Sequence, residues 1–321
     1  MMLGITQLTY TAMISFLIVI ILGPIFIPML TKFKFGQTVR DDGPQTHLQK
    51  NGTPTMGGIM MIVAILVTVL TRTKVSSDMT MGLLCITGFG FVGFVDDFLK
   101  IKFKRSLGLK AYQKILLQIA LATVLAYYQY TNSASAAQLL IPFTSFTINL
   151  GPLYVPVMVF VILGTVNAVN LTDGLDGLAS GITVIVSGFF MLLAASYGNT
   201  DVAILAAATL GACIGFLGFN SYPARVFMGD TGSMALGGAV ISFAVLTNNV
   251  LIIPIVGGIY FAEAISVILQ VGSYKLRKKR IFKMAPIHHH FEQCGWPETK
   301  VIFVFWITSI VLAWIGIIAV F

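Results

Sequence analysis

The sequence predicts an all-α polytopic membrane protein, and three observations lead to this fold class. Hydrophobic residues make up 57% of the 321-residue chain. Charged residues make up only 10%, whereas a soluble domain usually carries about 25%. The mean hydropathy is +0.91, and the apolar residues fall into runs close to the roughly 20 residues that cross a bilayer. This composition argues against a soluble enzyme and against a nucleic-acid-binding protein, in spite of the net charge of +8.

Ten apolar runs predict about ten transmembrane helices. The first run is expected to be a retained helix and not a signal peptide, because no basic segment precedes it and no small-residue cleavage site closely follows it. The third ends in two adjacent aspartates, which are costly near the bilayer centre and are therefore expected at the membrane surface. The approximate limits of the runs are 8–31, 57–71, 80–98, 112–130, 153–169, 178–197, 202–219, 232–247, 250–272 and 301–321.

The basic residues predict the orientation, because Lys and Arg accumulate in cytoplasmic loops. The odd-numbered loops between the predicted spans hold eighteen of them, whereas the even-numbered loops hold only Arg72 and Lys74. We therefore expect the odd loops in the cytoplasm and both termini outside the cytoplasm, with residues 1–321 forming a single integral membrane domain. Loop 4, residues 131–151, carries no charge and is expected to form a short extended or hairpin element on the outer face.

Polar residues of unusual type gather on the predicted cytoplasmic side. Five of the twelve acidic residues fall in three short motifs of loops 3, 5 and 7 or the adjoining helix ends. Loop 1 brings Lys50 to the same side, and loop 9 brings three consecutive histidines. Polar residues without a shared function would be scattered over both faces. The sequence therefore predicts an active site at the cytoplasmic face, assembled from several helix ends.

The first acidic motif is FVDDFLK, with Asp96, Asp97 and Lys100. Adjacent helical residues point about 100° apart, so the two aspartates cannot both reach one small ion without help from loop geometry. Lys100 lies one helical turn from each and is expected to neutralise either. Carboxylates at a helix C-terminus oppose the helix dipole. This cost favours a bound cation or a function over a merely solvated helix end.

The second motif, NAVNLTDGLDGLA, spaces Asn167, Asn170 and Asp173 by one turn and places Asp176 between two glycines. Carboxylate and amide oxygens suit a hard divalent cation such as Mg²⁺. The alternative is a polar turn whose side chains cap helix ends.

The third motif places Asp230 where a new helix is expected to begin, in FMGDTGS. Glycines let the backbone approach a ligand closely, and free amides at a helix N-terminus favour phosphate. The motif therefore predicts a metal-binding aspartate beside a phosphate site. A glycine-rich turn capped by Asp or Thr is the alternative.

The segment KMAPIHHHFEQCGW contains His288, His289 and His290. No regular structure lets three consecutive histidines bind one ion, because they fan out on a helix and alternate on a strand. One or two imidazoles are expected to donate hydrogen bonds or charge to phosphate or ribose oxygens, while another packs structurally. Zinc ligation together with Cys294 is the alternative.

A transporter is the competing function class. A transporter would place its ionisable residues near the bilayer midplane, usually on repeated elements, whereas here they lie at the predicted cytoplasmic helix ends.

Five segments carry a family resemblance, in this order: KNGTPTMGG, DDFLK, NAVNLTDGLDGLA, FNSYPARVFMGDTGS and MAPIHHHFE. Together they resemble the polyprenyl-phosphate N-acetylhexosamine-1-phosphate transferases, from about Lys50 to Glu292. The uninterrupted histidine run favours the branch that acts on a muramoyl-pentapeptide. The alternative is a sister enzyme that uses a UDP-N-acetylhexosamine without the peptide. The resemblance implies that phospho-MurNAc-pentapeptide passes from UDP-MurNAc-pentapeptide to undecaprenyl phosphate with Mg²⁺, giving lipid I and UMP at the bacterial cell membrane.

The resemblance also implies site residues. Its catalytic positions fall on Asp96, Asp97, Asp230 and His289, with Asp230 as the metal ligand. In the basic segment KFKRSLGLKAYQK, Lys110 is the alternative to Lys114. The sequence leaves the oligomeric state open, a homodimer included. The implied substrate-binding residues are Lys50, Thr55, Lys100, Lys114, Asn167, Asn170, Asp173, Asp176, Asn220, Phe227, Gln270, His288 and His290.

Overall fold

The computed structural model describes residues 4–32, 50, 52–103, 107–132 and 137–320. Within these ranges the chain forms twelve α-helices and one pair of short strands. In chain order they are α1 (Ile5–Lys32), α2 (Gly58–Arg72), α3 (Ser77–Phe103), α4 (Ala111–Asn132), β1 (Gln138–Leu140), β2 (Thr147–Asn149), α5 (Tyr154–Thr172), α6 (Leu178–Ser196), α7 (Thr200–Asn220), α8 (Gly229–Leu246), α9 (Ile253–Val256), α10 (Gly258–Arg277), α11 (Ile287–Gln293) and α12 (Glu298–Val320).

Each predicted span overlaps a helix. Among the described residues, seven helical segments are long and apolar enough to cross a membrane. An eighth is added if the segments 250–256 and 258–277, which meet at an angle of 83°, count as one broken span. The remaining two predicted spans correspond to α2, which has only 15 residues, and to α4, which carries three glutamines. The chain is thus an all-α, multi-pass membrane protein.

Large apolar side chains are exposed on the outer helices. Ile21 of α1 and both Trp314 and Ile318 of α12 are each more than half exposed. A soluble protein rarely leaves contiguous apolar surface of this kind in water. Lipid hydrocarbon is the solvent that suits it.

The centre of the bundle is α8, which packs closely against α3. A Cβ atom at Gly93 of α3 would overlap the backbone oxygen of Asp230, and one at Gly238 would lie 2.5 Å from the backbone oxygen of Cys85. Small residues allow such close approach between membrane helices. This packing sets the C-terminal part of α3 against the first turn of α8.

The bundle has two different ends. The C-terminal parts of α3 and α5 meet the N-terminal turns of α4 and α8 at one of them, here called the site end. At the opposite end, β1 and β2 form an antiparallel hairpin with Leu139 opposite Ile148. The Phe143 amide of this hairpin donates to the carbonyl of Ala319, near the end of α12. The hairpin predicted in loop 4 is confirmed.

Four residues that contribute to the charge bias lie outside the described residues, namely Lys34, Arg40, Lys104 and Arg105. Asn51 and Phe321 also lie outside them.

Candidate active site at one end of the helix bundle

Three motif aspartates form one cluster at the site end. Asp96, Asp97 and Asp230 each offer a carboxylate oxygen, and these oxygens all lie within 4.8 Å of one another. Oxygen ligands sit about 2.1 Å from Mg²⁺, so side chains at this spacing fit a shared hard cation. Asp96 and Asp97 were expected to need loop geometry in order to share one ion. The neighbouring helix α8 completes the cluster instead, because it brings in Asp230.

Two lysines form ion pairs with this cluster. The Lys100 Nζ atom lies 2.7 Å from Asp96 Oδ2, 3.7 Å from Asp97 Oδ1 and 3.0 Å from Asp230 Oδ2. The Lys114 Nζ atom lies 2.9 Å from Asp230 Oδ2. The neutralising role predicted for Lys100 is confirmed. When all five groups are ionised, the cluster keeps an excess of one negative charge, which favours an additional cation.

The structure distinguishes Lys114 from Lys110. Lys114 reaches the cluster, whereas Lys110 is exposed just before α4 and its backbone amide donates to the Gln113 side chain at 3.0 Å. Lys110 precedes the first residue of α4, whereas Lys114 lies in its first turn and directs its ammonium to Asp230. Lys114 is therefore the member of the basic segment that belongs to the site.

Hydrogen bonds fix the orientation of the paired aspartates. Asp97 Oδ2 accepts from the amide of Thr231 at 2.9 Å and from its hydroxyl at 2.8 Å, so a carboxylate on α3 caps the start of α8. Asp96 Oδ1 accepts from the amide of Leu109 at 2.8 Å. The Thr231 amide is thus taken by Asp97, and the phosphate site expected beside Asp230 stays a prediction.

The two asparagines of the second motif have different partners. Asn170 Nδ2 donates to Asp230 Oδ1 at 3.0 Å and to Ser233 Oγ at 2.8 Å, so it belongs to the cluster. Asn167 Nδ2 donates instead to Gln118 Oε1 at 2.9 Å and to the Leu163 carbonyl at 2.8 Å. Asn167 therefore ties α5 to α4, and its amide is engaged away from the aspartates.

A second charged group lies beside the loop between α5 and α6. Lys50 Nζ lies 2.6 Å from Asp176 Oδ1 and 2.6 Å from Glu298 Oε1. Asp176 Oδ2 also accepts from the Ala224 amide at 2.9 Å. Burial alone would lower the pKa of the Lys50 ammonium, but the two carboxylates outweigh this effect and raise that pKa above its ordinary value.

Asp173 lies on the same loop, in a strongly negative environment. Burial, together with the nearby carboxylates of Asp230, Asp97 and Asp176, raises the pKa of the Asp173 carboxyl well above its ordinary range. Lys50 opposes this shift. A cation or a positively charged substrate group would stabilise the ionised form of Asp173.

The histidine segment forms the short helix α11, and His288 is its buried member. His288 Nδ1 lies 3.0 Å from Glu263 Oε2 of α10, and both side chains are almost completely buried. On its other side, the ring leaves no space for a Cβ atom at Gly174. His288 therefore packs α10 and α11 against the loop that carries Asp173 and Asp176, and the substrate contact implied for this histidine stays a prediction.

The other two histidines point to other partners. His289 Nδ1 lies 2.8 Å from Glu292 Oε2. His290 Nδ1 accepts from the Lys283 amide at 3.2 Å, and His290 Nε2 lies 3.8 Å from Cys294 Sγ. In the part of the chain that the structure describes, the histidines and Cys294 form no metal-binding group, and the zinc alternative gains no support.

Two side chains predicted to bind substrate are engaged within the fold. Asn220 Oδ1 accepts from the Gly177 amide at 3.0 Å, and its Nδ2 donates to the Val226 carbonyl at 3.0 Å. Gln270 Oε1 accepts from the amides of Ile281 and Phe282 at 3.0 Å each. Both amides hold connecting segments in place, and the substrate contacts implied for Asn220 and Gln270 stay predictions.

Thr55 and Phe227 border the carboxylate cluster. A Cβ atom at Gly229 would lie 2.5 Å from Asp97 Oδ2 and 2.8 Å from Thr55 Oγ1. The Phe227 amide donates to the Pro54 carbonyl at 2.8 Å, which joins the segment around Thr55 to the start of α8. Gly229 has a φ of +71°, which a residue with a Cβ atom rarely adopts. Position 229 therefore requires glycine, both because a Cβ atom would lie too close to Asp97 and Thr55 and because φ is positive.

Sequence reasoning missed two acidic residues of this region. Glu263 interrupts the apolar run of α10, and an ionisable residue within a predicted span is itself a signal of function or pairing. Glu298 follows Pro297 in the first turn of α12. An acid there is common because it complements the helix dipole, so its pattern gave no signal.

Comparison with known proteins gives consistent similarities. Residues 79–248 match the family described as glycosyl transferase family 4. The chain is 77% identical to the "Phospho-N-acetylmuramoyl-pentapeptide-transferase" of Clostridioides difficile (strain 630), over 100% of both chains. It is 54% identical to the protein of the same name from Alkaliphilus metalliredigens (strain QYMF), over 98% of each chain. The Clostridium novyi (strain NT) protein of that name is 49% identical, over 96% of this chain and 95% of that protein.

Proposed function

Because the chain belongs to the phospho-N-acetylmuramoyl-pentapeptide transferases, within glycosyl transferase family 4, we propose that it transfers phospho-MurNAc-pentapeptide from UDP-MurNAc-pentapeptide to undecaprenyl phosphate. The products are lipid I, a peptidoglycan precursor, and UMP, and residues 1–321 act as one integral membrane domain. One observation carries the proposal: Asp96, Asp97 and Asp230 gather within 4.8 Å of one another in a chain that matches relatives of this name over its full length.

The chemistry needs little help from a base. The acceptor is a phosphate monoester whose second pKa is about 6, so it is largely a dianion at neutral pH. One of its oxygens attacks the β-phosphorus of the UDP-sugar and forms the new P–O bond. The bond from this phosphorus to the bridging oxygen breaks, and UMP leaves with the electron pair.

The obstacle is the meeting of two anions, and the lysines address it. Lys100 and Lys114 can exchange a carboxylate contact for a phosphate oxygen without leaving the cluster, because each already lies within 3.0 Å of Asp230 Oδ2. Positioned positive charge of this kind is the main source of catalysis in phosphoryl transfer. His289 directs Nδ1 to Glu292, and its Nε2 atom becomes a further donor when the ring is protonated.

The aspartate contacts favour direct transfer over a phospho-aspartyl intermediate. Asp97 Oδ2 already accepts two hydrogen bonds from Thr231, and Asp96 is held by the Leu109 amide and by Lys100. Carboxylate oxygens engaged in this way are poor nucleophiles. We assign Asp96 or Asp97 to positioning the acceptor phosphate or removing its residual proton.

The residues that would hold Mg²⁺ are Asp230, as the principal ligand, with Asp96 and Asp97. A bound Mg²⁺ would neutralise charge on the diphosphate and on the departing UMP. The negative excess of the cluster and its all-oxygen donor set support this assignment. The remaining substrate contacts are assigned to Lys50, Asn170, Asp173 and Asp176.

An assay of the purified protein tests the reaction. UMP release from UDP-MurNAc-pentapeptide is expected only when undecaprenyl phosphate and Mg²⁺ are both present. Absence of UMP under these conditions would reject the proposed function.

Rapid-quench incubation with labelled UDP-MurNAc-pentapeptide and without the lipid acceptor tests the mechanism. A stoichiometric burst of UMP with label bound to an aspartate would reject direct transfer.

We place the site end at the cytoplasmic face of the bacterial cell membrane, with both termini outside, because eighteen of the twenty basic residues lie in the odd loops. The native cysteines offer a test, since Cys294 is exposed whereas Cys85 and Cys213 are buried. A membrane-impermeant maleimide should label Cys294 in inverted vesicles but not in intact cells. Cys294→Ser is the control. Labelling of Cys294 in intact cells would reverse the orientation.

A further inference from the structure

Glu298 connects three separate parts of the site end. It lies in the first turn of α12, beyond the five segments that carry the family resemblance. Its Oε1 atom accepts from Lys50 Nζ at 2.6 Å and from the backbone amide of Asp176 at 2.8 Å. A single carboxylate oxygen thus joins α12, the α5–α6 loop and Lys50, the first residue of the segment KNGTPTMGG.

The same contacts constrain the Lys50 ammonium. Lys50 Nζ lies 2.6 Å from an oxygen of each of two carboxylates, and the side chains of Lys50, Asp176 and Glu298 are only 16%, 3% and 10% exposed. An ammonium has three N–H donors, and these contacts direct two of them. The direction of the third follows from tetrahedral geometry. A lysine on a flexible four-carbon stem is thereby oriented before a ligand arrives.

We propose that Glu298 is a positioning residue of the transfer reaction, which orients Lys50 against Asp176 so that the remaining ammonium donor faces the UDP-sugar. This inference rests on the proposed function, because the contacts of Lys50 and Asp176 with a UDP-sugar are themselves part of that proposal. A purely structural Glu298 would serve α12 alone, through the helix dipole, and its loss would not be transmitted through Lys50.

The first test needs no substrate. The full-length protein in detergent is treated with acetic anhydride, and acetylation of Lys50 is followed by mass spectrometry. Glu298→Gln removes the negative charge that lies beside the Lys50 ammonium and keeps an acceptor oxygen at position 298. Lys50 acetylation is expected to become about tenfold faster, because loss of the Glu298 charge lowers the pKa of the Lys50 ammonium and leaves more of it as the reactive amine. The matched control is Asp201→Asn, which removes an acid from the first turn of α7 at the opposite end and should leave the Lys50 rate unchanged. An unchanged rate in Glu298→Gln would overturn the proposal.

The second test is a double-mutant cycle on the kinetics of UMP release. Glu298→Ala should raise KM for UDP-MurNAc-pentapeptide about tenfold and change kcat less, because it weakens a charge-assisted contact that precedes chemistry. Lys50→Met should raise KM at least as much. The double variant should be no worse than Lys50→Met alone, since Glu298 acts through Lys50. Independent, multiplying effects would assign Glu298 a structural role and overturn the proposal.

The outcomes separate this proposal from the function on which it rests. If the wild-type protein releases no UMP, the proposed function fails, and the acetylation result still decides whether Glu298 holds Lys50. If Lys50→Met keeps wild-type kinetics in an active enzyme, the transfer reaction stands and the positioning role fails. The thermal midpoint of each variant reports folding, and Glu298→Gln replaces Glu298→Ala in the cycle if the alanine variant does not fold.

Discussion

Asp201 and Asp230 occupy the same position in two helices at opposite ends of the bundle. Each is the second residue of its helix, α7 and α8 respectively. Asp201 accepts a hydrogen bond from the Ser76 hydroxyl. Asp230 contacts the ammoniums of Lys100 and Lys114 and the Asn170 amide, with two more carboxylates nearby.

The same contrast holds for the ends as a whole. At the end opposite the site, Asp78 lies in the first turn of α3 and accepts from the Tyr128 hydroxyl at 2.6 Å, so it has a neutral partner and a favourable helix dipole. At the site end, like charges crowd together in a poorly solvated region, which is costly without counter-charges. An aspartate at a helix start is therefore not itself a sign of function. Crowding of carboxylates with ammoniums is such a sign.

The largest expected effect follows from exchanging each of the matched aspartates for asparagine. Asp230→Asn keeps the shape and removes the charge that would hold Mg²⁺, so kcat should fall on the order of 10³-fold. Asp201→Asn should stay within about twofold of wild type, because its hydroxyl partner can still donate to the asparagine side-chain oxygen. UMP release measures both.

Folding and metal binding supply independent readouts for this pair. The thermal midpoint of Asp230→Asn without Mg²⁺ should match wild type within a few degrees. Mg²⁺ should raise the midpoint of wild type and of Asp201→Asn, since a ligand that binds only the folded state stabilises it, but not that of Asp230→Asn. Near-normal Mg²⁺-dependent turnover in Asp230→Asn would remove the contrast between the two ends.

The next effect separates two lysines of the same basic segment. Lys114→Met removes an ammonium that lies 2.9 Å from Asp230 Oδ2 and should lower kcat on the order of 10²-fold, as for loss of one preorganised charge contact. Lys110→Met, at an exposed position, should change it by less than about twofold. Equal losses in the two variants would mean that general positive charge near the membrane, and not the contact with Asp230, supports the reaction.

A smaller effect is expected at the cap that joins α3 to α8. Thr231→Val removes the hydroxyl that donates to Asp97 Oδ2 at 2.8 Å but keeps the backbone donor. Loss of one such bond to a charged group should lower kcat/KM about tenfold. Thr231→Ser keeps the hydroxyl and is the control. If Thr231→Val matched Thr231→Ser, the orientation of Asp97 would not depend on this side chain.

The general architecture was predictable because its signals are local. Apolar runs of bilayer length located the helices, and the uncharged loop 4 located the hairpin. The spacing of Lys100 from Asp96 and Asp97 correctly predicted their ion pairs. The break before α10 was missed because the residues on both sides of it are apolar, although the pair Gly257 and Gly258 marks the position at which the helix bends.

The rest of the site depends on tertiary contacts that no local pattern contains. The family resemblance implies that Asn220 and Gln270 bind substrate, but their hydrogen bonds to backbone groups could not be read from the sequence. Glu298 is 248 residues from Lys50 along the chain, and only helix packing brings them together. Asp96 and Asp97 share one cluster because close packing at Gly93 sets Asp230 beside them. Such encounters follow from packing and not from spacing.

The smallest effect belongs to the end opposite the site. Tyr128→Phe removes the hydroxyl that donates to Asp78 and leaves the ring in place, so the free energy of unfolding should fall by about 1 kcal/mol. The thermal midpoint in detergent should drop by a few degrees, while UMP release stays at the wild-type rate. Tyr127→Phe is the matched control, because this neighbouring tyrosine is 60% exposed and should change neither quantity. If Tyr128→Phe remained folded at the assay temperature but released UMP more slowly than wild type, the two ends would be coupled. The hydroxyl-partnered aspartates would then serve the reaction as well as the fold.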